Sequence, residues 1–194
     1  MKGCRPLSDE EVDLVARTFA GKYASRDRAL FLLGVRSGFR ISEILSLRLA
    51  DVVQAGRIVD RVTVQRRNMK KRIEGRTVLL HPDAKTALAE WVEDLRADGY
   101  MTADAFVFQS RNGRNRPMTR CQAWRVLTEA YRANDLTGKL GTHSMRKTFA
   151  DRVYDRLGRD LVKTQRALGH RNINSTVQYL SFREEEIDAA ILAM

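Results

Sequence analysis

Apolar positions recur at helical spacing along most of the chain. Ser8 and Glu11 form a capping box, and Val12, Val15, Ala16 and Phe19 then line one face of a first helix. A second helix is predicted from about Asp27 to Ser37 and ends at Gly38. Its Leu30-Phe31-Leu32-Leu33 run is apolar on most sides, which predicts deep burial. Ile41, Ile44 and Leu45 predict a short helix between Arg40 and Leu47. The texture then changes: Ile58–Gln65 and Arg76–Leu80 are β-branched and alternating, and a basic stretch from Arg66 to Arg72 separates them. Two strands joined by a basic turn follow from that pattern. After His81-Pro82-Asp83 the helical period returns with Leu88, Trp91, Val92 and Leu95. A basic loop from Arg111 to Pro117 leads to a helix carrying Trp124, Leu127 and Tyr131. Helices are then expected over Ser144–Leu157, Asp160–Leu168, a short piece holding Tyr179, and a terminal segment from about Glu184. The predicted fold class is α+β, mostly α-helical, with one small antiparallel sheet.

Composition narrows the function. The chain has 194 residues, enough for one domain. Hydrophobic residues at 43% support a real core, and 35 Lys and Arg against 24 Asp and Glu leave a net charge of +11. Such a balance suits either a polyanionic partner, nucleic acid above all, or a solubilising surface. The longest apolar run, near Ala29–Gly34, is too short to span a bilayer, so no membrane partner is expected. The N-terminus lacks the apolar core of a secretory signal. Cys4 and Cys121 make no disulfide framework, and His81, His143 and His170 show no metal-ligand spacing. A reducing cytoplasm is the expected location.

Singly, the chemically interesting residues have ordinary readings. Arg40 and Glu43 could be a surface ion pair at i,i+3 spacing, and His143 near a helix start could be structural. Gly169-His170 could be a simple turn, Tyr179 a half-buried core aromatic, and Lys70 and Lys71 a solvated hairpin tip. Their order changes the reading. Gly-Phe-Arg-Ile-Ser-Glu-Ile around Arg40 is followed by a Lys-bearing turn and then by His-Ser-Met-Arg-Lys-Thr-Phe-Ala around His143 and Arg146. Leu-Gly-His-Arg-Asn and Thr-Val-Gln-Tyr follow, with Tyr179 nine residues after His170. This series resembles the tyrosine recombinase or phage-integrase family from about Leu7 to the C-terminus.

The resemblance implies the catalytic fold of that family and a DNA strand transferase that forms a 3′-phosphotyrosine without metal or ATP. A phosphodiester repels nucleophiles, and its transition state gathers further negative charge. Paired guanidiniums answer both problems. By similarity, Arg40 and Arg146 clamp the non-bridging oxygens, His170 donates a hydrogen bond to them, and His143 takes the phenol proton. Tyr179 is the nucleophile. A lysine on the turn protonates the leaving 5′-oxygen. Alignment of the second strand favours Lys71 over Lys70, and a one-residue slip there would reverse side-chain direction. Glu43 is expected to orient an arginine. Lys147 stands where many relatives carry a second His and is placed to contact phosphate; Met145 replaces the usual Leu.

Relatives carry a separate helical DNA-binding domain in front, and Arg40 comes too early to leave room for one. Residues 1–194 are therefore expected to be a single catalytic domain, either naturally short, as in recombinases that invert fimbrial promoters, or cut from a longer chain. DNA contact is then assigned to Arg66, Arg67, Lys70, Arg72, Arg111, Arg114, Arg116, Arg120, Lys147 and Arg171. The expected partners are double-stranded DNA, other copies of the chain in a synaptic tetramer, and accessory DNA-binding proteins. The apolar face Ile187, Ala190, Ile191, Met194 suggests that residues 183–194 dock on their own core or on a neighbouring protomer. Two rival readings remain: DNA relaxation or resolution of type IB topoisomerase character, and a non-cutting DNA-binding accessory factor.

Overall fold

The computed structural model describes residues 3–64, 75–100, 102–112, 115–180, 188–189 and 191–194. Two compact units make up the chain, Met1–Phe149 and Ala150–Met194. In the first, α1 (Asp9–Thr18) starts on Ser8, and the predicted capping box with Glu11 is present. Arg5 grips the same Glu11 through bonds of 2.7 and 2.6 Å. Helix α2 (Ala24–Ser37) opens three residues before its predicted start and runs between two apolar clusters. Leu30 and Leu33 join Val62, Leu88, Trp91 and Leu95, whereas Phe31 and Val35 join Val12, Val15, Leu127 and Met145. That two-sided burial is why the Leu30–Leu33 run of α2 is apolar on most sides.

The predicted short helix is only one turn, α3 (Ile41–Ile44). Next come a second single turn, α4 (Leu49–Val52), and a hairpin of β1 (Val53–Gln54) with β2 (Arg57–Ile58). Ala55 and Gly56 both have positive φ, as a two-residue primed turn requires. These pieces correct the expected single strand over 58–65: Ile58 pairs with Val53 in one sheet, and the next strand begins only at Arg61.

The main hairpin pairs β3 (Arg61–Val64) with β4 (Arg76–Leu79), antiparallel, with Val64 opposite Arg76. Val62 and Val64 are buried and Arg61 and Thr63 exposed, so β3 alternates as the sequence predicts. The hydroxyls of Thr63 and Thr77 meet on the outer face at 2.8 Å. Residues 65–74, which hold the basic turn, lie outside the described residues.

Helix α5 (Pro82–Ala97) places proline in its first turn and buries Leu88, Trp91, Val92 and Leu95. Trp91 Nε1 donates to the Val107 carbonyl at 2.7 Å, so a buried indole loses no hydrogen bond. Helix α6 (Arg120–Ala133) buries Ala123, Leu127, Ala130 and Tyr131. Trp124 is 46% exposed, one step of about 100° from the buried Ala123.

The boundary between the units falls within α7 (Thr142–Arg156). The second unit continues with α8 (Leu161–Leu168), capped by the Asp160 carboxylate, and α9 (Ile173–Val177). Tyr179 sits in the turn after α9 rather than in a helix. Of the predicted terminal helix, residues 188–189 and 191–192 are helical, while 184–187 and 190 lie outside the described residues. No helix among the described residues is long and apolar enough to cross a membrane.

Gly38 decides how α2 ends. It is left-handed, with φ 61° and ψ 21°, and a Cβ there would run into the Phe149 ring. Gly38→Ala is expected to cost at least about 1–2 kcal/mol from the left-handed backbone alone, before the steric clash is counted. Urea unfolding of the variant beside the parent chain measures that loss.

Candidate active site

In the first unit, the candidate residues are set by the turn after Gly38. Phe39 is buried, which leaves Arg40 at the solvent side as the residue preceding α3. Glu43, buried on α3, accepts from the Arg40 backbone N–H at 2.6 Å and from its guanidinium Nη1 at 3.1 Å. One carboxylate thus holds both the backbone and the side chain of Arg40. The predicted pairing is present, and it is partly buried rather than a loose surface contact.

Arg146 comes from α7, more than a hundred residues away, and is 1% exposed. Its Nη1 donates to the Gly38 carbonyl. The arginine of one motif is therefore tied to the backbone just before the arginine of the other. His143 lies one turn earlier on α7 and is exposed. Its pKa is nevertheless lowered, first by partial desolvation, then by the positive charges of Arg146, Arg40 and Lys147. Arg40, His143, Arg146 and the half-buried Lys147 thus form one electrostatic group.

His170 and Tyr179 belong to the other unit. Gly169 ends α8 in the left-handed conformation, and His170 follows it, nearly buried. The His170 backbone is held from both sides: its N–H donates to Gln165 O at 3.1 Å, and Gln165 Nε2 donates to His170 O at 3.0 Å. Its ring Nδ1 lies 3.0 Å from the hydroxyl of Thr176, a buried residue of α9. The Tyr179 N–H donates to the Thr176 carbonyl at 2.9 Å. The His170 and Tyr179 rings lie 5.3 Å apart, tilted by 42°. Thr176 therefore links both residues, its hydroxyl to the imidazole and its carbonyl to the tyrosine backbone.

Thr176 and Gln165 were missed in the sequence reading. The signal for Thr176 was its place inside Thr-Val-Gln-Tyr. Gln165 carried none, because its partners are backbone carbonyls. Among the residues assigned to DNA, Arg111, Arg116, Arg120 and Arg171 are exposed, and the Arg111 guanidinium lies 5.2 Å from the Tyr23 ring centroid. Lys71, Arg66, Arg67, Lys70, Arg72 and Arg114 lie outside the described residues. Cys4 and Cys121 are free thiols. Among the described residues, no three His, Cys, Asp or Glu side chains cluster as metal ligands would.

A mostly helical fold in which an Arg turn, a β-hairpin, a His-x-x-Arg helix and a His–Tyr pair follow in order defines a tyrosine recombinase. The chain belongs to the phage integrase family, whose sequence profile matches residues 7–186. It is 33% identical over 165 residues to Probable integrase/recombinase YoeC of Bacillus subtilis, covering 85% of this chain and 82% of YoeC. It is 32% identical over 182 residues to the type 1 fimbriae regulatory protein FimE of Escherichia coli, covering 90% of this chain and 84% of FimE. The XerH site-specific recombinase, in a crystal structure bound to its difH substrate, superposes with a TM-score of 0.73 at 23% identity. That match covers 98% of this chain and 55% of the XerH chain, so this chain spans about half of that protein.

Because its pKa is lowered, His143 is neutral near pH 7. Its midpoint in an NMR titration is expected below the ordinary value of about 6.5. Lys147→Gln removes one repelling cation and should move that midpoint upward. The native state binds a proton at His143 less readily than the unfolded chain does. Its share of stability is therefore full above about pH 6.5 and is lost as pH falls through the lowered native value.

Proposed function

We propose that this chain is a site-specific recombinase that cleaves and rejoins double-stranded DNA through a 3′-phosphotyrosine on Tyr179. The observation that carries the reading is the His170–Tyr179 pair, 5.3 Å apart and tied through Thr176. Tyr179 Oη attacks the scissile phosphorus while the P–O5′ bond breaks. His143, neutral, takes the phenol proton. Lys71, or its neighbour Lys70, gives a proton to the departing 5′-oxygen. Arg40 and Arg146 hold the non-bridging oxygens, and His170 donates to one of them. Burial of Arg146 favours this role, since a desolvated guanidinium acts more strongly on developing charge than one in water. A Thr176 hydroxyl donating to Nδ1 would leave His170 Nε2 as the proton-bearing nitrogen, the tautomer that can donate to phosphate. Glu43 orients Arg40. No step calls for a metal or a nucleotide.

The intermediate keeps the energy of the phosphodiester, so attack by a 5′-hydroxyl from another strand reverses the chemistry and exchanges partners. Relatives named as recombinases and integrases favour exchange over simple relaxation. Residues 1–194 act as one catalytic domain in the cytoplasm, in a synaptic tetramer with accessory DNA-binding proteins. DNA is gripped by the basic turn at Arg66, Arg67, Lys70 and Arg72, by Arg111, Arg114, Arg116 and Arg120, and by Lys147 and Arg171. Ile191, Leu192 and Met194 are exposed, which supports docking of residues 183–194 on a neighbouring protomer.

Tyr179→Phe removes only the nucleophilic oxygen. With nicked duplexes from the native flanking DNA, it should bind as the parent does yet give no SDS-resistant adduct; wild-type adduct levels would overturn the mechanism. The lysines are separated by a 5′-bridging thiolate, which departs without a proton. It should restore cleavage to Lys71→Ala, and restoration of Lys70→Ala alone would move the acid by one residue.

A further inference from the structure

Arg76 has no role in the chemistry above, yet it reaches into the turn that carries Arg40. It stands opposite the buried Val64, so its side chain leaves β4 on the inward face of the hairpin. There its Nη2 donates to the Ser37 carbonyl at 2.8 Å and its Nη1 to the Gly38 carbonyl at 3.2 Å. Its guanidinium carbon lies 5.2 Å from the Phe39 ring centroid and 5.8 Å from that of Phe149. The same Gly38 carbonyl accepts from Arg146. One backbone oxygen, two residues before Arg40, thus joins strand β4 to helix α7.

We propose that Arg76 is a positioning residue for the arginine clamp. It fixes the Ser37–Phe39 backbone, and through it the spacing of Arg40 from Arg146, without touching the phosphate itself. The inference rests on the reading of Arg40 as a phosphate ligand. The geometry needs arginine: a planar fork spans two successive carbonyls while its faces meet aromatic rings, and an ammonium does neither. A tie that only fastened the hairpin to the core would affect stability. A tie that sets the clamp affects how well charge on the phosphate is met.

A substrate with one charged oxygen removed separates these. At the cleavage position mapped with the parent protein, a methylphosphonate replaces one non-bridging oxygen with a methyl group and so lessens the need for a second guanidinium. Single-turnover adduct formation is measured for the parent, Arg40→Gln, Arg76→Gln and Arg76→Lys on both substrates, with melting temperature and DNA affinity alongside. Arg76→Gln is expected to slow cleavage of the ordinary phosphate by about 100-fold, the scale of a misplacement near 1 Å, with DNA affinity unchanged. On the methylphosphonate the loss should shrink to less than about tenfold, following Arg40→Gln, and Arg76→Lys should behave as Arg76→Gln does. If Arg40→Gln shows no such relief, the clamp reading itself fails. If Arg40→Gln is relieved while Arg76→Gln loses equally on both substrates, Arg76 does not act through the clamp. Parent-like cleavage by Arg76→Lys, or unfolding of both Arg76 variants, also overturns the proposal.

Discussion

A left-handed glycine ends α2, and its carbonyl oxygen receives guanidinium N–H groups from β4 and from α7. The placement of Arg40 and Arg146 in the first unit hangs on that oxygen. Without φ near 60° at residue 38, the chain could not reverse tightly enough to set Phe39 into the core and Arg40 outside it. Glu43 then fixes Arg40 from the other side, through backbone and guanidinium together. Packing serves the same end. Met145 lies against Gly34 of α2, where a Cβ would meet its sulfur, and this close approach lets Arg146 reach the Gly38 carbonyl.

Crowding cations has a cost that neutral packing does not. Partial desolvation first, and then the charges of Arg146, Arg40 and Lys147, hold His143 below its ordinary pKa, a shift that favours the neutral imidazole. Like charges gathered at one place repel until a polyanion arrives. The repulsion therefore favours binding of a phosphate backbone and works against the free protein. A net charge of +11 spreads the same bias over the whole chain.

The second unit solves a different problem, the placement of Tyr179 just past the end of a short helix. A five-residue helix has little stability of its own. Its register relative to α8 is held by Gln165 on the backbone after Gly169 and by Thr176 on the His170 ring. Tyr179, in the turn beyond α9, inherits that register through its bond to the Thr176 carbonyl.

Much of this was legible in the residues alone. Helix α1 announces itself by its Ser8–Glu11 box, α5 by Pro82 and the Leu88–Leu95 stripe, and β3 by alternation, because caps and periods are local properties of a chain. The order of Arg40, His143, Arg146, His170 and Tyr179 was legible for the same reason: each lies in a short motif. The two-residue strands β1 and β2 were not, since two positions carry no period. Nor was the exposure of Trp124, which an apolar spacing places on the stripe and the packing of Ala123 and Leu127 leaves outside it. Sequence named the chemical groups. Only the tertiary structure decided that Arg76 and Arg146 would share the Gly38 carbonyl, and that Thr176 would meet His170. A backbone oxygen has no letter in the sequence, and which side chain reaches it depends on how segments far apart in the chain pack together.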